Sequence, residues 1–319
     1  MKKKEQAIND QLLQEEEILI PTPVRMKRKN PIKVRLRRKR FLCFFIVVVL
    51  LALAAIPAYR LWYQPFEAKN FYRNMKNLYG QVGQGKLPKD YNQQLGALYD
   101  INTDIGGWLI VPGSDVSLPV AMTVSHDTAF YQTHLFDGRS NPCGTPYYVN
   151  GKPNLTPRGN TVVQGGQQLF GELGNYRTLE FYQKAPLIFL DTLTHAAMYK
   201  VFAVVEVNAE TLANYTNAYY KTPQEFYDYV VAVGKQSLLY TGVTVETQDQ
   251  LLSLICDTPK GKLAVIGRRV RDGEDYTVNT SVARLQTPDN AGTVALWDVT
   301  ATDVVTNTDI AVTPTDTIK

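Results

Sequence analysis

Gln248-Asp249-Gln250-Leu251-Leu252-Ser253-Leu254-Ile255-Cys256-Asp257-Thr258-Pro259 is followed at once by Leu263-Ala264-Val265-Ile266-Gly267-Arg268-Arg269-Val270. Each is a short apolar run bounded by turn-forming residues, the signature of a buried strand. Two strands joined by a short loop, with a thiol where the first ends, make a suitable place for a nucleophile. Cys256 is therefore the first candidate site residue. Its chemistry depends on whether other side chains activate it.

Working backward, the same strand-like texture recurs. Trp108 to Val111, Val116 to Met122, Pro146 to Val149, Asn160 to Val163, Pro186 to Leu190 and Ala197 to Val207 are β-rich runs separated by Gly, Pro, Asn and Asp. Helical spacing marks Phe66 to Val82, and a shorter helix is expected over Tyr91 to Tyr99. Two more are expected at Leu173 to Gln183 and Pro223 to Leu238. About eight short strands with helices in their connections predict a mainly β fold, a closed eight-stranded barrel that leaves few free edges.

The N-terminal part has a different character. Residues 1 to 40 carry thirteen lysines and arginines against five acids, a net +8. Because the whole chain is +4, everything after them sums to −4. The run Phe41 to Pro57 is uncharged and, extended through Ala58 and Tyr59, is just long enough to cross a bilayer core of about 30 Å, with Trp62 and Tyr63 as an interfacial flank. A signal peptide would begin near residue 1 and have a shorter apolar stretch, and a buried core helix is the other alternative. The expected organisation is a basic cytoplasmic tail over 1–40, a transmembrane helix over 41–63, a domain over 65–275 facing outward, and a loosely ordered tail over 287–319. Val294 to Trp297 is a possible extra strand within that tail. The basic run abutting the span is read as a topology signal, with no nucleic-acid partner. Cys43 lies in the span, so only Cys143 and Cys256 remain outside it; whether they pair is left open.

Several separate stretches resemble the class B sortases, the membrane-anchored cysteine transpeptidases of Gram-positive bacteria. Gly107-Trp108-Leu109-Ile110-Val111-Pro112-Gly113 is similar to the family's first strand, and Leu118-Pro119-Val120 to its second. Tyr131, Gly138, Gly144 and Tyr147 are spaced like the aromatic and glycine positions of the next loop and strand. Thr222-Pro223-Gln224-Glu225-Phe226 resembles the start of the helix that class B inserts, and Tyr240-Thr241-Gly242-Val243 the lead into the cysteine strand. The resemblance implies a sortase-like barrel at a Gram-positive cell surface. It further implies a sorting-signal peptide or surface protein as partner, a peptidoglycan or protein amine as acceptor if the chain is active, and no cofactor and no metal.

It also implies three catalytic parts, a cysteine, a histidine and an arginine. The cysteine falls on Cys256, with one residue missing from its lead-in. The histidine position, in Asn160-Thr161-Val162-Val163-Gln164-Gly165-Gly166, is Gly166, which carries no side chain to titrate; the arginine position is Lys262. An ammonium supplies charge but not the planar two-pronged donor of a guanidinium. Gln164 and Gln167 offer amides that can bind a peptide, with Gln168 beside them. His126, His134 and His195 are expected in surface or structural roles. Three readings follow: a degenerate sortase that binds without efficient transpeptidation, an active transpeptidase forming a thioester at Cys256, and a scaffold in which Cys256 is an inert buried residue.

Overall fold

A computed structural model describes residues 31–286. The expected tail over 287–319, the Val294 to Trp297 strand and most of the basic segment lie outside the described residues. The chain divides into two compact units, Met1–Ala58 and Tyr59–Lys319. In the first, helix α1 (Pro31–Ala58) carries the uncharged run. By length and composition its apolar stretch is long enough to cross a membrane.

The second unit is built on a closed barrel of eight strands. These are β1 (Ile105–Ile110), β2 (Ser117–Ala121), β3 (Tyr147–Tyr148), β4 (Asn160–Gly165), β5 (Leu187–Thr192), β6 (Ala196–Val207), β8 (Leu251–Thr258) and β9 (Gly261–Arg269), in the order β1-β2-β3-β4-β8-β9-β6-β5. The expected mainly β, eight-stranded architecture is thus what the chain adopts. A separate two-stranded ribbon pairs β7 (Leu239–Tyr240) with β10 (Arg284–Leu285). The pairing of β4 with β8 is parallel and in register, so Gly165 stands beside Cys256. On its other side β8 runs antiparallel to β9, placing Leu263 opposite Cys256 and Lys262 opposite Asp257.

Sequence explains the fit of β1. Trp108 is 1% exposed, stacks on Tyr79 at 4.9 Å and donates its indole N–H to the Ser117 hydroxyl at 3.1 Å. A Cβ on the neighbouring Gly107 would lie 2.3 Å from the Asp191 carbonyl oxygen, so β5 can approach only because that residue is glycine.

The helices begin and end where the chain's chemistry dictates. Helix α2 (Gln64–Leu78) opens with proline at its start and stops at Tyr79, ahead of Gly80 with φ +87°. The expected Tyr91 to Tyr99 helix becomes a 3₁₀ turn, Gln93–Leu95, and α3 (Gly96–Ile101). Helix α4 (Thr128–Thr133) is capped by Asp127. A short α5 (Gln167–Phe170) follows β4, and the expected Leu173 to Gln183 helix is broken into two pieces, a 3₁₀ helix Gly171–Arg177 and α6 (Leu179–Lys184). Thr178 is extended and caps α6 through the Phe181 N–H, which interrupts helical periodicity at that point. A short α7 (Leu212–Tyr215) precedes α8 (Pro223–Gln236), capped by Thr222 with proline in its first turn.

Two apolar clusters show which way each strand faces. Leu251, Ile255, Ala264 and Ile266 pack with Phe226, Val230 and Val233 of α8, which marks the outside of the barrel. The alternate residues Leu252, Leu254, Cys256, Leu263 and Val265 pack with Val163, Leu190 and Val204, so they face the interior. Phe170, Leu173 and Tyr176 of the α5–3₁₀ segment belong to this interior cluster and are fully buried.

Candidate active site

The expected site residues converge at the C-terminal ends of β4 and β8, but they divide between the two faces of the sheet. On the outside is a cleft of about 490 Å³ whose walls include Gln164, Gly166, Gln167, Gln168, Asp257 and Lys262. On the inside, one strand residue away, is Cys256.

The thiol is 0% exposed. Burial pushes its pKa up to about 12, and the positive charge of Arg177 only partly opposes that rise. Cys143 and Cys256 are both free, so the pairing left open by the sequence is absent from this structure. Phe170 lies over the adjacent strand: a Cβ on Gly165 would come within 2.6 Å of its ring. A thiol so placed is protonated at neutral pH and inaccessible to a peptide carbonyl lying in the outer cleft.

Lys262 does not face the thiol. Strand alternation points it outward with Ala264, and its ammonium pairs with the Asp257 carboxylate, the outward residue next to Cys256. The cation on the thiol's own face is Arg177, from the 3₁₀ helix after β4. Its Nε donates to Glu206 Oε1 at 2.6 Å and one terminal nitrogen donates to Glu206 Oε2 at 2.8 Å; that nitrogen also donates to Thr258 Oγ1 at 3.0 Å. Thr258 is two residues beyond Cys256, hence on the same face. Glu206 of β6 stands opposite Leu263 of β9 on the same sheet face as Gly165 and Cys256, at the end of the barrel where its side chain is 44% exposed. No linear motif marks Arg177 or Glu206; they meet Cys256 only because the barrel closes and the α5–3₁₀ segment folds over its end.

Gly166 has extended backbone, φ −71° and ψ 164°, and caps the start of α5. A Cβ there would lie 3.4 Å from the Cys143 carbonyl oxygen and 3.9 Å from Gln168 Oε1, so the position has room for a side chain and directs it into the outer cleft. Cys143 lines the same cleft, with its thiol pKa raised to about 11, first by burial and then by the charge of Glu67.

The three histidines are engaged elsewhere. His126 Nδ1 lies 2.8 Å from Asp104, and its ring stacks on Phe130, which stacks in turn on His134. His134 Nδ1 is 2.9 Å from the Phe130 carbonyl, and His195 is 2.8 Å from the Thr194 hydroxyl in the β5–β6 turn. The charged groups that act on the Cys256 thiol are Arg177, Asp257 and Glu206, with no imidazole among them. Among the described residues no group of three or more His, Cys, Asp or Glu is arranged to hold a metal ion.

No family model matches the chain. It is 23% identical over 190 residues to a sortase B of Listeria monocytogenes, covering 57% of this chain and 76% of that protein. Against a sortase B of Staphylococcus aureus it is 24% identical over 228 residues, covering 69% and 90% respectively. Among solved structures, sortase B from Bacillus anthracis in complex with AAEK1 superposes with a TM-score of 0.58 at 21% identity, covering 66% of this chain and 99% of that one. A Staphylococcus aureus sortase B–substrate complex gives 0.56 at 19%, covering 64% and 97%. The fold is that of the class B sortases, and the likenesses in sequence and structure together support assignment to that family.

Proposed function

We propose that this chain, built on the class B sortase fold, is a surface protein that binds a sorting-signal peptide or a partner protein in its outer cleft without efficient transpeptidation. The observation that carries the reading is the position of Cys256: on the inner face of β8, fully buried beside Gly165, while the position where a general base is needed is Gly166, which faces the outer cleft. Acyl transfer through a thiol requires a thiolate and a proton donor for the leaving amine, and acid–base catalysis of this kind contributes about 10² to 10⁴ in rate. Gly166 supplies neither function, and Lys262 is committed to Asp257 on the far face.

Binding is a different matter. The cleft offers the amides of Gln164, Gln167 and Gln168 as donors and acceptors, and Gln132 donates to the Tyr147 hydroxyl at 3.0 Å along its edge. A relative of the same fold has been crystallised as a substrate complex, which supports a peptide as the class of ligand. A single anchored span with the domain outside a Gram-positive membrane completes the reading, supported by the apolar helix and the basic segment before it.

The test is incubation of the full chain, held in detergent, with a panel of sorting-signal peptides, followed by mass measurement and a binding titration. Saturable binding with no acyl adduct is the expected result. A hydroxylamine-labile adduct that disappears in Cys256→Ala would overturn it in favour of an active transpeptidase. Neither binding nor adduct would leave only a scaffold.

A further inference from the structure

A second groove, of about 630 Å³, adjoins the outer cleft, and the two share Gln167 and Gln168 as walls. One side is helix α2, which presents Lys69, Arg73 and Lys76 along a single face at helical spacing. The opposite side carries Asp115 and Glu172, and apolar atoms of Ala68, Tyr72, Leu118 and Leu169 line the groove between them.

The charges on the two walls are not equally engaged. Lys69 reaches Asp115 at 3.4 Å, and Glu172 accepts the Asp115 backbone N–H at 2.6 Å. Among the described residues Arg73 makes one hydrogen bond, to the neutral Asn70 side chain at 3.3 Å, and Lys76 has no hydrogen-bond or ion-pair partner. Two exposed cations therefore stand along a groove that opens from the peptide cleft, with no anion among the described residues satisfying them. Long basic side chains beside an apolar floor can hold a chain that offers carboxylates to the wall and aliphatic or aromatic groups to the floor.

We infer that the partner peptide continues past Gln167 and Gln168 into this groove and that the segment lying there is acidic. The inference rests on the peptide-binding reading above and specifies the chemistry of the ligand beyond the cleft. Arg73 and Lys76 act as selectors of charge, raising the association rate and the affinity of acidic partners in a salt-dependent way.

The experiment takes whichever panel peptide binds the detergent-held full chain most tightly and adds a run of glutamates or of lysines to either end. At low salt a glutamate extension at one end is expected to tighten binding about fivefold relative to the lysine extension, a size set by two exposed charge pairs. That preference should reverse in Arg73→Glu/Lys76→Glu, with the lysine extension now binding more tightly, a variant whose melting curve reports its fold and whose binding of the unextended peptide should be unchanged. Equal affinities for the two extensions, with binding still lost in the cleft variant Gln164→Ala, would overturn this inference while leaving the cleft reading intact. Absence of binding by every peptide would remove both. A charge-reversal effect seen on vesicles of anionic phospholipid but not on peptides would reassign the basic face to membrane contact and overturn the proposal.

Discussion

Two adjacent glycines at the end of β4 should respond oppositely to a side chain. Gly165 faces inward, and a Cβ there meets the Phe170 ring at 2.6 to 2.9 Å. Gly165→Ala is expected to cost about 1–3 kcal/mol through overpacking. Gly166 faces the cleft with ordinary contact distances and an unstrained φ, so Gly166→His should leave the melting temperature within a few degrees of the parent chain. It should also fail to produce an acyl adduct, because the new imidazole enters the outer cleft while the thiol stays inside. An adduct in Gly166→His would show that β8 can present Cys256 outward. For the thiol itself the pH dependence has a definite sign. Its folded pKa, pushed up to about 12, lies above the unfolded value of about 8.5. The unfolded chain thus releases the proton first, and stability falls as pH rises from about 8.5 toward 12. Alkylation by iodoacetamide at pH 8 should be at least about 100-fold slower at Cys256 in the folded chain than in urea. Arg177→Ala, which breaks the pair closing that end of the barrel, should speed it.

Among elements, β6, β9 and the loop after β9 are joined by a charge cluster that invites a direct test. Glu274 takes Lys200 of β6 at 2.7 Å and both terminal nitrogens of Arg268, a side chain only 2% exposed, and it accepts the Arg271 backbone N–H at 2.9 Å. Arg268 foremost holds the Glu274 carboxyl far below the usual range. A depressed carboxylate contributes stability that is present above its unfolded pKa of about 4.3 and is lost as pH falls below it. Glu274→Gln removes the carboxylate that pairs both terminal nitrogens of the buried guanidinium, leaving Asp249 at 3.9 Å from its Nε, and is expected to cost about 2–3 kcal/mol at pH 7. The cost should shrink in acid, and equilibrium unfolding from pH 7 down to pH 3 measures both. These contacts also mark where sequence reading succeeds and stops. Strand runs, the Gly-Trp opening of β1 and the capped start of α8 are local signals, fixed by period and turn chemistry, and each appears close to its expected position. Gly166 and Lys262, singled out by the resemblance, both line the outer cleft. The direction in which Cys256 points was not, because a one-residue change of register turns a whole strand over while leaving its apolar run unchanged. Arg177 was hidden for a related reason: its helix is broken at Thr178, and its partners Glu206 and Thr258 come from distant strands.

At the scale of the whole molecule, charge and hydropathy are arranged by position, and that arrangement makes a prediction independent of the site. The first forty residues carry a net +8 and the rest −4, with the uncharged run of α1 at the boundary. Basic residues flanking a span remain on the cytoplasmic side, so the barrel should lie outside. Protease added to intact cells should therefore digest the barrel only under conditions that unfold it, while leaving an epitope placed at residue 1 untouched until the cells are broken. A substitution series in the basic run sharpens the experiment. Changing Lys33, Arg35, Arg37, Arg38, Lys39 and Arg40 to glutamine removes the charge nearest the span without altering its apolar length. If orientation rests on that charge, a fraction of the variant chains should expose the N-terminal epitope to external protease, and the same fraction should retain the barrel inside. Exposure of the epitope in the unaltered chain, or release of the intact chain into the medium, would contradict a single span with the barrel outside. Peptide binding gives a second readout of the same arrangement: only chains with an outward barrel can take up a labelled peptide supplied to intact cells, so uptake should fall in proportion to the inverted fraction.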